Sequence, residues 1–249
     1  MVICSQISFM QRYPSIEVSI VRSHSSDKTK DIALGFDTKV IDYDGKLLGA
    51  RCAGFKASIG DFILLLDADQ ILEEDAVARA MEAIKAYDML ILEEDSYQPR
   101  TFVQKKLQEQ RTLAHRNIES FHPTKTGLLP RFFRRAILGK VFDTIPSELY
   151  PTVVTEDHRI IYHEAYKISS NIGFLPHAVS HMEPDSIYKV LKHDYRFGKS
   201  SKALLNTGLY REQTTRTFQR KNFKPALITG TVTLALLRSL AFQLGYYLG

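Results

Sequence analysis

Along the first hundred residues, short unbroken apolar runs alternate with stretches whose apolar positions recur every three or four residues. The clearest run is Phe62-Ile63-Leu64-Leu65-Leu66, entered from a Gly60-Asp61 turn and ended by Asp67-Ala68-Asp69. Such a run reads as a strand buried on both faces, the kind found in parallel sheets covered by helices. Three similar segments are Ile16–Val21, Lys39–Tyr43 and Asp88–Leu92. Between them the pattern changes period. Ser25-Ser26-Asp27-Lys28-Thr29 offers side-chain oxygens to start a helix, residues 47–58 form a helix rich in Ala and Gly, and Val77, Ala80, Met81 and Ile84 share one face of a helix over residues 73–86. The opening residues 1–15 read as a short helix ending at Tyr13-Pro14. Repeated strand–helix alternation predicts an α/β fold, a mostly parallel doubly wound sheet with helices on both faces.

Beyond residue 95 the alternation lapses. A polar helix over 101–120 leads to a loop at 122–127 and a basic cluster, Arg131-Phe132-Phe133-Arg134-Arg135. Glu156-Asp157 opens a helix running through Tyr166, Ile172–Leu175 begins a strand that reaches His181, and residues 184–206 make a long basic helix. The expected organisation is an α/β domain over 1–188, with a donor half to about 95 and an acceptor half from 96, followed by a helical tail over 189–249.

Charge sharpens the picture of the tail. Residues 1–188 carry 22 Lys and Arg against 26 Asp and Glu, whereas residues 189–224 carry 10 against 2. The last 24 residues, from Ala226, hold a single charge, Arg238. A basic and then apolar tail suits an anionic membrane surface better than nucleic acid, because no aromatic-and-basic interleaving accompanies it; a solvated helix face gives the same pattern. The tail is long enough to cross a bilayer, but Arg near its middle would cost about 2.5–3.5 kcal/mol, so a helix lying in the interface competes with one that spans. Met-Val-Ile-Cys-Ser-Gln at the start has no basic n-region and no sustained apolar core, and the two cysteines make no disulfide framework. The expectation is a protein on the cytoplasmic face of a membrane.

Two carboxylates at a strand end have two readings. They cap the turn and the helix beyond it, or they stand at the carboxyl edge of the sheet, where open α/β folds bind ligands, and hold a divalent metal carrying a phosphorylated ligand. Glu156 and Asp157 likewise suit the first turn of a helix on electrostatic grounds alone.

The order of segments resembles the family 2 glycosyltransferases with the A-type nucleotide-sugar fold. The resemblance is carried by Tyr13–Val18, Ser25–Thr29, Gly49-Ala50-Arg51-Cys52-Ala53-Gly54, Gly60 through Asp69, Glu156-Asp157, and His181 followed by Pro184. It implies an inverting transfer from a nucleoside-diphosphate sugar to a hydroxyl or phosphate acceptor, a glycan or a lipid-linked molecule. Under this resemblance Asp69 is the principal ligand of Mg²⁺ or Mn²⁺, Asp67 lies near the ribose or metal, and His181 is a further metal ligand or else a structural histidine. Asp157 matches the catalytic base with Glu156 beside it, Arg51 approaches the nucleotide or diphosphate, and Asp27 helps to hold the nucleoside. Arg131, Arg134 and Arg135 meet phosphate or form a solvated loop.

The chain departs from the family pattern twice. Members usually begin with a strand and a Pro-Thr-Tyr-Asn-Glu-like loop, whereas this sequence begins in the helix that should follow, so a central strand is expected to be missing. Arg22 stands where an acid usually meets the nucleobase. These departures support an alternative, a binding module that retains the nucleotide-sugar fold without catalysis.

Overall fold

The structure, a computed structural model, describes residues 11–22, 29–36, 38–116, 120–211 and 229–249. Its residues fall into two compact units, one built from 1–95 and 128–181, the other from 96–127 and 182–249.

In the first unit, β1 (Ser19–Arg22) and β2 (Lys39–Asp42) flank helix α1 (Thr29–Leu34), and helix α2 (Leu47–Ala57) follows. The two strands pair in parallel, with Arg22 opposite Asp42, and that register brings the Arg22 guanidinium 3.1 Å from the Asp42 carboxylate. They form a sheet of their own. Next come β3 (Phe62–Leu64), β4 (Gln70–Leu72), α3 (Ala76–Ala83) and β5 (Met89–Ser96). After α4 (Phe102–Arg116), which belongs to the second unit, the chain adds β6 (Pro130–Arg134), α5 (Arg135–Thr144), α6 (Asp157–Ile168) and β7 (Ile172–His181).

The five later strands form one sheet in the order β3-β6-β5-β7-β4. The α/β class is as expected, and parallel pairing holds at β1–β2, but β3–β6, β5–β6 and β4–β7 are antiparallel. The reason lies in the connections. Parallel neighbours need a crossover that returns over the sheet, and β6 enters instead from the 96–127 excursion. Among the described residues β3 and β4 are the edge strands of this sheet.

Apolar positions explain the packing. Ala76, Ala80 and Ile84 lie against Leu72, Leu90, Leu92, Phe132, Leu175, Ala178 and Val179, with Phe62 and Leu64 at the margin. Phe62 and Phe132 stack across the β3–β6 pair at 5.9 Å. Residues 11–15 are not helical, contrary to the sequence pattern; instead the Gln11 amide bonds the Glu73 carbonyl and the Val77 N–H, capping the approach to α3. The remainder of the expected opening helix, and Asp27, lie outside the described residues.

In the second unit, α4 packs with α7 (Ile187–Asn206) and α8 (Thr229–Leu248) around Leu107, Val190 and Leu234. Helices α7 and α8 approach to backbone contact. A side chain at Gly198 would meet the Phe242 carbonyl, and one at Gly245 would meet that of Tyr195. Arg238 is turned inward, donating to both Asp194 oxygens at 2.8 and 3.2 Å and to Gln110 at 2.8 Å. No described helix is long and apolar enough to cross a membrane.

Candidate active site

The end of β3 is fixed by its own sequence. Leu65 N–H bonds the Arg131 carbonyl at 2.8 Å, carrying the β6 pairing one residue beyond the strand, and the chain then turns. Gln70, fully buried, clamps that turn: its Oε1 accepts from the Asp67 N–H at 2.9 Å and its Nε2 donates to Glu94 Oε1 on β5 at 2.9 Å. The Asp67 carbonyl in turn accepts from the Gln70 N–H.

Asp157 arrives from far along the chain through tight packing on α2. Gly49 leaves room for the Tyr43 ring and the Tyr150 carbonyl, where any side chain would collide, and Leu48 N–H bonds Val153 O. The loop before α6 therefore runs beside α2, and one side chain of that helix joins two acids. Arg51 donates through Nε to Asp157 and through Nη2 to Asp67 Oδ1, the latter at 2.5 Å. Both Arg51 and Asp157 are buried. Although Asp157 is the first residue of α6, its carboxylate is spent on Arg51, so the helix-dipole reading alone does not account for it.

Arg131 of β6 closes the cluster. Its Nη1 donates to Asp67 Oδ2 at 3.0 Å and its Nε to Glu94 at 2.7 Å. Nη1 also lies 2.9 Å from His158 Nε2. A guanidinium has only donors, so that ring nitrogen accepts and the His158 proton sits on Nδ1, which is buried without a hydrogen-bond partner. Burial, and next the Arg51 and Arg131 charges, push the His158 pKa down and keep the ring neutral. For Asp67, burial opposes ionisation, but the Arg51 and Arg131 guanidiniums outweigh it and hold the carboxyl well below the usual range.

Asp69 and His181 meet at the adjoining strand end. The β4–β7 register sets Gln70 opposite His181, and His181 Nε2 stands 3.5 Å from Asp69 Oδ2. Asp69 is half exposed at 53%, so an oxygen and an imidazole nitrogen converge at an open position. Asp69 and His181 could hold a divalent cation only with phosphate and water completing its coordination sphere. No group of three or more candidate ligands occurs among the described residues.

Of the residues singled out by sequence, Arg51, Asp67 and Asp157 come together, and Asp69 and His181 form a second pair. Glu156, beside Asp157 in the chain, is buried and accepts from Arg159 Nε at 2.9 Å. Arg134 ends β6 and Arg135 begins α5, so the pair does not lie on a solvated loop. Arg134 donates to the Ile84 and Tyr87 carbonyls; Arg135 donates to Ser58 and Gly60 and lies over the Phe55 ring. A surface cavity of about 530 Å³ lined by these arginines with Phe55 and Phe62 opens at the start of β3, away from the carboxylates at its end. Sequence reasoning passed over Gln70, Glu94 and His158. His158 follows Asp157 directly, but nothing in its neighbours announces the Arg131 that binds it.

The profile of Glycosyl transferase family 2 matches residues 3–142, more than half of the chain. No curated protein sequence matches. Among solved structures, S. aureus TarS is similar over 98% of this chain and 50% of its own, with a TM-score of 0.56 and 17% identity. The chain thus spans half the length of that protein. TarS 1–349 in complex with UDP-GlcNAc gives 0.58 at 15% identity, covering 97% of this chain and 76% of the other. Glucosyl-3-phosphoglycerate synthase from Mycobacterium tuberculosis, in complex with Mn²⁺, UDP and phosphoglyceric acid, gives 0.50 at 15% identity over 85% and 74%. These likenesses show the A-type glycosyltransferase fold, and with the profile match they establish that the chain belongs to glycosyl transferase family 2.

Proposed function

We propose that the chain transfers a sugar from a nucleoside-diphosphate donor to a hydroxyl or phosphate of a glycan or lipid-linked acceptor, inverting the anomeric centre. The observation that carries this reading is Arg51 holding Asp67 and Asp157, residues ninety positions apart in sequence, in one cluster next to the Asp69–His181 pair. The ligands of the similar structures, UDP-GlcNAc in one and UDP with Mn²⁺ in another, favour a uridine donor as the first probe.

In this reading Asp157 accepts the proton of the acceptor O–H as that oxygen forms a bond to the anomeric carbon. The bond from that carbon to the diphosphate oxygen breaks, and the electron pair leaves with the diphosphate. Arg51 releases or shares the Asp157 carboxylate when it turns toward the diphosphate, and Gln70, Glu94 and Arg131 keep the Asp67 turn in place meanwhile. Asp69 and His181 would hold Mg²⁺ or Mn²⁺, which supplies charge neutralisation for the leaving group when bound.

Asp157→Asn is expected to bind UDP-GlcNAc in calorimetry as the parent does and to lose transfer by about 10²–10⁴-fold, the usual worth of a positioned base. Asp69→Ala is expected to weaken Mn²⁺-dependent donor binding. Turnover unchanged in the Asp157 variant overturns the base assignment. One observation favours the binding-only alternative, namely that Arg51 already pairs with Asp157. Donor binding by the parent with no transfer to any acceptor decides for it.

A further inference from the structure

The outer face of α8 is built unlike any other surface helix of the second unit. Over its twenty residues the single charged side chain, Arg238, points inward to Asp194 and Gln110. The opposite face carries Val232, Leu236, Leu240, Leu244, Tyr247 and Leu248, spaced by about four residues and all exposed, Leu236 at 67%, Tyr247 at 70% and Leu248 at 75%. At 1.5 Å per residue this is an apolar stripe about 24 Å long. Its buried side is fully occupied: Leu234, Ala241 and Phe242 pack inward, and Gly245 touches the α7 backbone. The stripe is therefore left over after the helix has satisfied its place in the fold.

Charge beside the stripe identifies what covers it. Lys192, Arg196 and Lys199 recur at helical spacing on the exposed side of α7, and none is ion-paired with another described residue. Lys199 lies against the α8 terminus at Gly249, and Lys202 Nζ is 3.5 Å from the Tyr247 carbonyl, so cations border the stripe at its C-terminal end. A second copy of the chain would bring like charges together around such a contact. An anionic lipid surface offers acyl chains to the leucines and phosphates to the lysines. Because no described helix is long and apolar enough to span, the fit is to the interfacial plane.

We propose that α8 lies flat in the interface of an anionic membrane, its Leu236–Leu248 face among the acyl chains and the α7 cations at the headgroups. This surface goes beyond the transfer reading and does not depend on it, since binding to lipid requires neither donor nor turnover.

The full chain would be sedimented with vesicles of phosphatidylcholine with and without phosphatidylglycerol. The parent is expected to pellet with the anionic vesicles and to be released as salt rises. Leu236→Glu/Leu240→Glu is expected to lower the partition coefficient at least about tenfold. Lys192→Glu/Arg196→Glu is expected to lower it by at least about thirtyfold, from roughly fivefold for each cation lost near such a surface, with repulsion of the added carboxylates acting in the same direction. All four positions are exposed, and unchanged circular dichroism of the variants reads the fold separately. The proposal is overturned if the parent stays in the supernatant, if it binds neutral and anionic vesicles equally, if either variant pair pellets like the parent, or if light scattering shows a dimer that Leu236→Glu/Leu240→Glu splits without any lipid binding. Sugar transfer from UDP-GlcNAc measured without vesicles tests the transfer reading alone.

Discussion

Arg51 is the side chain on which the candidate site turns, because it answers two carboxylates from different elements at a position where water does not compete. Its own burial disfavours its charge, while Asp157 and Asp67 restore it and raise its pKa above the usual value. Arg51→Met keeps most of the volume and removes the cation both acids share; breaking a buried pair in this way costs about 3–5 kcal/mol. Denaturant unfolding should show that loss, and Arg51→Met/Asp157→Asn should recover part of it, because the second change removes the buried charge the first leaves behind. The family resemblance assigns Arg51 to the nucleotide or diphosphate but does not disclose its partner. That Asp157 was a candidate followed from the order of motifs; that it meets Arg51 depends on Gly49 admitting Tyr43 and Tyr150, a packing fact with no local signature. Arg131 was harder still. Two phenylalanines among three arginines look like a solvated loop until Glu94 and Asp67, distant in sequence, are known to neutralise it.

At the scale of elements, the strands with continuous apolar runs were legible and so were the helices with a clear apolar face. The β4 and β6 strands were not. Gln70-Ile71-Leu72 is only a turn beyond the preceding strand, and its Gln is a buried clamp rather than a surface residue. β6 sets two adjacent aromatics between arginines because Arg131 meets the ion cluster while Phe132 and Phe133 are buried. In the second unit, the contact between α7 and α8 rests on glycines rather than on large side chains. Gly198→Val would place a Cβ 2.0 Å from the Phe242 carbonyl oxygen, backbone that moves only if the helices part. Overpacking of this kind costs about 1–3 kcal/mol, and each such kcal/mol lowers the melting midpoint by about 2–4 °C in a protein of this size. Thermal circular dichroism reads the shift; an unchanged midpoint would mean that the helices are not in backbone contact.

For the molecule as a whole, the buried ionisable groups set how stability responds to acid. His158 is neutral in the fold because burial, then Arg51 and Arg131, lower its pKa; unfolding returns it to about 6.5. The unfolded chain thus binds more protons below that value, and stability falls as pH drops through about 6.5. Asp67 acts in the same direction lower down, its stabilisation complete above about 4 and lost as pH falls through the ordinary carboxylate range. His177 acts oppositely, its pKa raised by Asp95, but it is 76% exposed and contributes little. The melting midpoint should be level between about pH 7 and 8 and decline below about 6.5, and His158→Gln should remove the first decline while leaving the one below about 4. The division into units carries a different consequence. The chain passes from one unit to the other at 95/96, 127/128 and 181/182, so neither unit is a continuous stretch of sequence. During synthesis residues 96–127 must wait for a partner that emerges only after residue 182, while the first unit closes its sheet across that unfinished loop. A single cut between residues 188 and 189 would strand α4 without α8 rather than separate two folding bodies, and the slow step in reaching the native state should be the closing of these long loops.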